Sequence, residues 1–295
     1  MRVNPNPMPD LMAALNQTEL EEQQAELQIS TGKSVNEPSD NPTAAALLVE
    51  SNDQATFTAG YLQSISAVQG QLSTASSTLS SMNSALQQTL SLGVEAASGT
   101  LSASDRAAIA TQLQGIQSQL VSLANTTYEG NYLFAGTATN KAPYAIDSGS
   151  ASGVTYAGNT DVNQVAIGNG YNLAVNVPGS QLFSATGNDV FLAVNSLIQA
   201  VQSDSAIETA VNGVSTASSY LSAQAVFYGN ATDQTQSETT YLNAAKLQIS
   251  QLQSTLGGAN VAEAATNLSQ AETDNQAALA AISKLSQDNL FNYLT

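Results

Sequence analysis

Cysteine, histidine and tryptophan are absent from this chain of 295 residues, and only six of its side chains are basic. Without Cys there is no disulfide and no thiol nucleophile, a composition that suits a protein kept unfolded and unlinked during export as well as it suits the cytosol. Without His there is no Ser-His-Asp triad, and the side chain most used for acid-base work near neutral pH is missing. The 23 acidic residues leave a formal charge of −17, so nucleic acid and anionic membrane are disfavoured partners. No apolar run is long enough to cross a bilayer. The stretch from Met1 to Asp10 lacks the apolar segment of a secretory leader, so export, if it occurs, is expected without a cleaved signal. Aromatic residues make up 5% of the chain, which leaves core building to thin rows of Leu, Ile, Val and Ala.

What is there is heptad spacing. Tyr61, Ile65, Val68, Leu72, Ala75, Leu79, Met82 and Leu86 recur every three or four residues among Ser, Thr, Gln and Asn, so one narrow stripe of a long helix seeks burial. Ile109, Leu113, Ile116, Leu120 and Leu123 repeat the pattern after a link around Gly93 and Gly99, and Ser102 with Asp105 reads as a capping box that opens the second helix. The two stripes predict an antiparallel helical hairpin.

The seven prolines lie at positions 5, 7, 9, 38, 42, 143 and 178, so residues 43–142 and 179–295 can be helical without interruption. A first helix is expected from Pro9 to about Ile29, with Met8, Leu11, Leu15, Ala25 and Ile29 along one seam and Leu20 and Leu27 beside it. Thr18 and Glu22 stand at seam positions, which predicts an arm that is weakly stable alone. Gly32 should end that helix and Asn41 should cap the next, with Pro42 at its first position. Residues 138–187 switch to period two, and the runs on either side of Gly168-Asn169-Gly170 predict a β-hairpin. Further caps are expected at Thr186–Asp189 and Ser205–Glu208, followed by a helical tract to Tyr228 and another from Thr235. The last seam, Val261, Ala264, Leu268, Ala271, Asn275, Ala278, Ile282 and Leu285, follows a break at Gly257-Gly258. That break lies about as far from one end as Pro38 lies from the other, so the two end arms could pair antiparallel.

Chemistry is harder to find. Asp147, Asp161 and Asp189 invite a paired-carboxylate or calcium reading, but they lack the spacing of a calcium loop and stand among turn residues where Asp is common. No Gly-Lys-Ser/Thr follows the glycines at 130 and 136, which argues against a phosphate loop. Neither catalysis nor a metal or cofactor is expected.

Two segments carry a resemblance to a known family. Gly32, Asn36, Pro38, Asp40 and Pro42, with Ser30, Thr31, Val35, Ser39 and Asn41, fit the loop that follows the first heptad helix in the flagellin family. Gly130, Asn131, Tyr132, Phe134 and Gly136 resemble the segment after the helical hairpin, with Tyr132 and Phe134 expected on one face of a short strand. The prolines at 38 and 42 favour the form found at the hook–filament junction over filament flagellin. The ending from Leu290 to Leu294 is similar as well, with Asn292 where that form has Asp, whereas the prolines at 5, 7 and 9 depart from the family.

The residues themselves predict a mainly α fold with a small β insert, an elongated antiparallel helical bundle or coiled coil with paired terminal helices, and the resemblance agrees with it. Its expected division is a terminal domain of residues 1–42 with 257–295, a helical rod of 43–137 with 188–256, and a β-insert at 138–187. The resemblance implies a structural part of the bacterial flagellum, exported through the flagellar type III apparatus. Its implied partners are hook-associated protein 1, flagellin, further copies in a ring, and an export chaperone. Leu11, Leu15, Leu20, Leu27, Leu268, Ile282, Leu285, Phe291 and Leu294 are the expected subunit contacts. Filament flagellin, a coiled-coil signalling or adhesion module and a secreted carboxylate-based hydrolase remain as alternatives.

Overall fold

The computed structural model describes residues 8–293, with side chains as far as Lys284. Its elements run α1 (Met8–Thr31), α2 (Pro42–Ala96), α3 (Ala103–Ala124), β1 (Thr127–Tyr128), β2 (Asn131–Tyr132), β3 (Tyr144–Ile146), β4 (Val154–Tyr156), β5 (Gln164–Gly168), β6 (Tyr171–Ala174), α4 (Gly179–Leu182), α5 (Val190–Ser203), α6 (Ile207–Gly257) and α7 (Val261–Tyr293). They form two compact units, one of residues 1–57 and 244–295 and the other of residues 58–243.

The second unit is built on the predicted seam. From Ile65 to Leu86 its seven members are at most 3% exposed, and Tyr61 is half-buried. Ile109, Leu113 and Leu120 of α3 are buried in the same core, with Ile116 and Leu123 half-buried beside them. α6 runs antiparallel to α2 here, since the Gln69 amide donates to the Thr235 hydroxyl at 3.3 Å and the Ser218 hydroxyl donates to Asn83 Oδ1 at 2.8 Å. The expected capping box is present: the Asp105 amide donates to Ser102 Oγ and the Ser102 amide to Asp105 Oδ2.

Three antiparallel strand pairs, β1–β2, β3–β4 and β5–β6, complete this unit. The predicted hairpin is β5–β6, with Gly168 opposite Tyr171 across the Asn169-Gly170 turn. The strands lend their aromatics to the helical core. Tyr144 of β3 packs against Phe191 of α5 with ring centroids 4.9 Å apart and against Phe183 at 5.9 Å, and Phe183 meets Phe134 edge-on at 5.0 Å.

Four local expectations are corrected. Gly93 does not link two helices: it is buried inside α2, where a methyl group would come within 2.7 Å of Val211 and 3.0 Å of Leu197, so its smallness admits neighbouring side chains. The helices expected to end at Tyr228 and restart at Thr235 are one, because with no proline to stop it the Thr232 and Thr235 hydroxyls donate back to helix carbonyls at 228 and 232. The cap of α5 is Asp189 alone, whose carboxylate accepts from the Leu192 amide, and α6 begins after Ala206, whose carbonyl accepts from the Ala210 amide, so Ser205 is not its cap.

Along α2, seam and flank should separate sharply. Leu72→Ala, at a fully buried position, is expected to cost about 2–5 kcal/mol. Val94→Ala, at a position 64% exposed, should stay within about 0.5 kcal/mol. Denaturant unfolding of both variants checks this, and equal losses would remove the seam as the organising row.

Candidate assembly interface

In the first unit the loop after α1 is held by its own polar side chains. Gly32 adopts φ +66° and its amide donates to the Gln28 carbonyl, which closes the helix in the left-handed conformation that glycine tolerates best. The Thr31 hydroxyl meets Asn36 Oδ1 at 2.9 Å, and the Asn36 amide group donates back to the Lys33 carbonyl at 3.0 Å. Asp40 is the anchor: one carboxylate oxygen accepts from the backbone amides of Asn36 and Glu37, both at 2.9 Å, and the other accepts from Gln24 at 3.2 Å. The backbone donors at Glu37 and then Asn36 hold this carboxyl below its ordinary range. Asn41 then caps α2, its Oδ1 accepting from the Ala44 amide at 3.0 Å, with Pro42 in the first turn. Pro38 lies exposed in this loop.

The two chain breaks meet. Lys33 and Gly258 form an antiparallel bridge in which the Ser34 amide donates to the Gly257 carbonyl at 2.8 Å and the Ala259 amide to the Gly32 carbonyl at 3.0 Å. α1 and α7 leave this bridge side by side and antiparallel, packed on Ala25, Ala264 and Ala271, which are at most 5% exposed. The polar seam positions are satisfied in two ways: the Thr18 hydroxyl donates to the Leu15 carbonyl of its own helix, and Asn275 Nδ2 donates across the seam to Glu22 Oε2 at 3.3 Å.

Of the predicted contact residues, Leu11, Leu15, Leu268 and Ile282 are half-buried along this seam. Leu20 and Leu27 point away from it, 60% and 42% exposed, and Met12 is 56% exposed nearby. The side chains of Leu285 and Phe291, and the whole of Leu294, lie outside the described residues.

The segment 130–136 belongs to the second unit and ties its irregular backbone together. Glu129 and Gly130 turn β1 into β2, both at positive φ. The strand ends at Tyr132, which is half-buried, while Phe134 is fully buried in a turn, so these two rings do not share a strand face. Asn131 is exposed, and its side-chain oxygen accepts from the Thr139 hydroxyl. The Phe134 carbonyl accepts from the Gly179 amide and the Tyr156 hydroxyl, the Ala135 carbonyl from the Asn159 amide, and the Gly136 carbonyl from the side chains of Asn163 and Asn176. Gly136 has φ +71°, and a methyl group there would lie 2.6 Å from the Asn159 carbonyl oxygen. Asn125 supports the same region, exchanging two hydrogen bonds with the Tyr144 backbone. These asparagines were not singled out in the sequence, where their only signal is their density between 125 and 176.

The carboxylates considered for catalysis have structural partners. Asp147 accepts from the Gly149 amide, Asp161 from the Thr137 hydroxyl, and Asp189 caps α5, with burial raising its carboxyl above the ordinary range. Among the described residues no three acidic side chains come together as metal ligands would, and no helix is long and apolar enough to cross a membrane.

Comparison with known proteins adds identity. The bacterial flagellin N-terminal helical region matches residues 6–139, and the bacterial flagellin C-terminal helical region matches residues 205–294. Flagellar hook-associated protein 3 of Escherichia coli K12 is 34% identical over 183 residues, 62% of this chain and 54% of that protein. The protein of the same name from Salmonella typhimurium is 37% identical over 165 residues, 55% of this chain and 50% of its own length. The chain thus matches about half the length of these curated relatives. A solved structure described as a flagellar hook-associated protein of Vibrio parahaemolyticus shares the fold, with a TM-score of 0.67 at 22% identity over 73% of this chain and 98% of that one.

Two glycines of the 130–136 segment separate strain from collision. Gly130→Ala, where nothing lies within 4 Å, should cost about 1–2 kcal/mol for the left-handed backbone alone. Gly136→Ala should cost clearly more in thermal unfolding, because it adds the clash with Asn159. At Asp40 the lowered pKa means that its stabilisation of the loop is present above the ordinary carboxylate range and is lost as pH falls through the lowered value. The amide resonances of Asn36 and Glu37 should titrate together with a midpoint below 3.8, and a midpoint at or above that value would show that Asp40 is not the anchor.

Proposed function

Because the chain belongs to the flagellin family, its two ends matching the N-terminal and C-terminal helical regions of bacterial flagellin, we propose that it is a structural protein of the bacterial flagellum, set where hook meets filament. The role is mechanical: one face accepts the hook side through hook-associated protein 1, and the other receives the first flagellin subunits, in a ring of identical copies. It binds no cofactor and performs no chemical step. It leaves the cell through the flagellar export route, with a chaperone on its C-terminal arm.

One observation carries the reading. The relatives named hook-associated protein 3 share at least a third of their aligned residues with this chain, and the two segments that resemble the junction form each tie separate stretches of backbone together. The loop 32–42 joins the terminal arms through the Lys33–Gly258 bridge. The segment 130–136 gathers the turns of the second unit.

Within this reading, residues 1–42 with 257–295 form the domain that enters the inner tube, 43–137 with 188–256 the part that meets lateral neighbours, and 138–187 the insert facing outward. Leu11, Leu15, Leu268 and Ile282 hold α1 to α7. Leu20 and Leu27, left exposed by that pairing, pack against adjacent subunits, as do Leu285, Phe291 and Leu294. A helix whose second apolar row is unfilled in one chain has that row available for association.

Leu20→Glu with Leu27→Glu should leave thermal unfolding within about 1 kcal/mol, since both side chains are largely exposed, while stopping incorporation at the junction. Removal of residues 286–295 should likewise spare folding and abolish assembly. Immunogold labelling against the β5–β6 hairpin gives the position directly. A narrow band between hook and filament is expected; label along the filament would mean flagellin, and unlabelled flagella would overturn the flagellar role.

A further inference from the structure

Two Asn-Gly steps occur in the chain, Asn169-Gly170 and Asn212-Gly213, and the fold treats them oppositely. Asn169 and Gly170 are exposed at the tip of the β5–β6 hairpin, Gly170 has φ +72°, and no atom lies within 4 Å of where its side chain would begin. Asn212 and Gly213 are exposed too, but they sit inside α6, where the Asn212 carbonyl also accepts from the Thr216 hydroxyl.

We propose that Asn169 is a site of spontaneous deamidation and isomerisation, and that conversion there loosens the hairpin from α6. The backbone nitrogen of Gly170, after losing its proton to base, attacks Cγ of Asn169. The new N–C bond closes a succinimide as the Cγ–N bond of the side-chain amide breaks, and the departing nitrogen takes back the proton from the base to leave as ammonia. Water then opens the ring at one of its two carbonyls, giving Asp or isoAsp. The reaction requires the Gly170 nitrogen to swing toward Cγ. An exposed glycine without side-chain neighbours permits that rotation, whereas the continuous hydrogen-bond ladder of a helix holds the nitrogen at 213 in place.

The surroundings make the conversion consequential. The Tyr171 hydroxyl donates to Gln234 Oε1 at 2.9 Å, and a methyl at Gly168 would lie 2.7 Å from a Glu238 carboxylate oxygen, so the hairpin rests on α6 at both residues flanking the turn. IsoAsp adds one backbone atom to a two-residue loop that sets Gly168 opposite Tyr171, and a slipped register turns side chains to the wrong face.

The test is ageing of the full chain in mildly alkaline buffer, with mass spectrometric quantification of Asp and isoAsp at positions 169 and 212. Conversion at Asn169 is expected at least an order of magnitude faster than at Asn212, and Gly170→Ala should slow it by a similar factor. Hydrogen exchange across the paired residues of β5 and β6 should rise in the aged protein and stay unchanged in aged Asn169→Gln, which keeps an amide but closes a ring far more slowly. Equal rates at the two steps would overturn the site. Conversion at Asn169 without faster exchange in the hairpin would overturn its effect on α6.

Discussion

A helix with a single apolar stripe is stable only while that stripe is covered along its length. This constraint governs the whole protein. With few aromatics and no tryptophan, the seam of α2 cannot concentrate its burial in a few large side chains, so it spreads over residues from Ile65 to Leu86, and α3, α5 and α6 must run alongside to cover it. Small residues follow from the same need. Gly93 and Ala75 let helices approach where a larger side chain would hold them apart. In the pair of α1 and α7 the covered residues are alanines, which bury little area each, and the polar residues that interrupt the seam are tolerated because each finds a hydrogen-bond partner.

Where helices give way to turns, amides take over. Asn125, Asn159, Asn163 and Asn176 each bond to backbone carbonyls or amides that no regular strand satisfies. An irregular segment can be buried only when its peptide groups are paired, and this chain meets that condition with side-chain amides in place of a continuous sheet. Burial of Tyr144 and Tyr228 pushes both phenols well above their ordinary range, so each stays a neutral hydroxyl within the core.

Periodicity made the helical seams legible, because a stripe every three or four residues has one structural meaning whatever its partners. Gly32, Asn41 and Pro42 were equally readable, since each sets a backbone geometry by itself. The failures share a cause. The local flexibility of Gly93 suggests a break that ends α2 too early, whereas its role is set by Leu197 and Val211, far away in sequence. Alternation puts Tyr132 and Phe134 on one strand face, but the chain turns between them and the Phe134 carbonyl pairs with the Gly179 amide. The pattern puts a capping box at Thr186–Asp189, and Asp189 alone caps α5. Spacing puts Leu20 and Leu27 beside the seam, and both are exposed there.

The bridge between Lys33 and Gly258 makes the terminal pair a zipper with a fixed slider. Because the two helices are fastened at its base, separation of α1 from α7 leaves the last turn of α1 beside the first turn of α7. Re-pairing then requires closure of only a short loop, whose entropic cost is small and grows slowly with length. Each arm thus meets the other at a local concentration set by the chain itself, far above that of any free helix. An arm that has come away returns to its own partner without a search for the correct alignment.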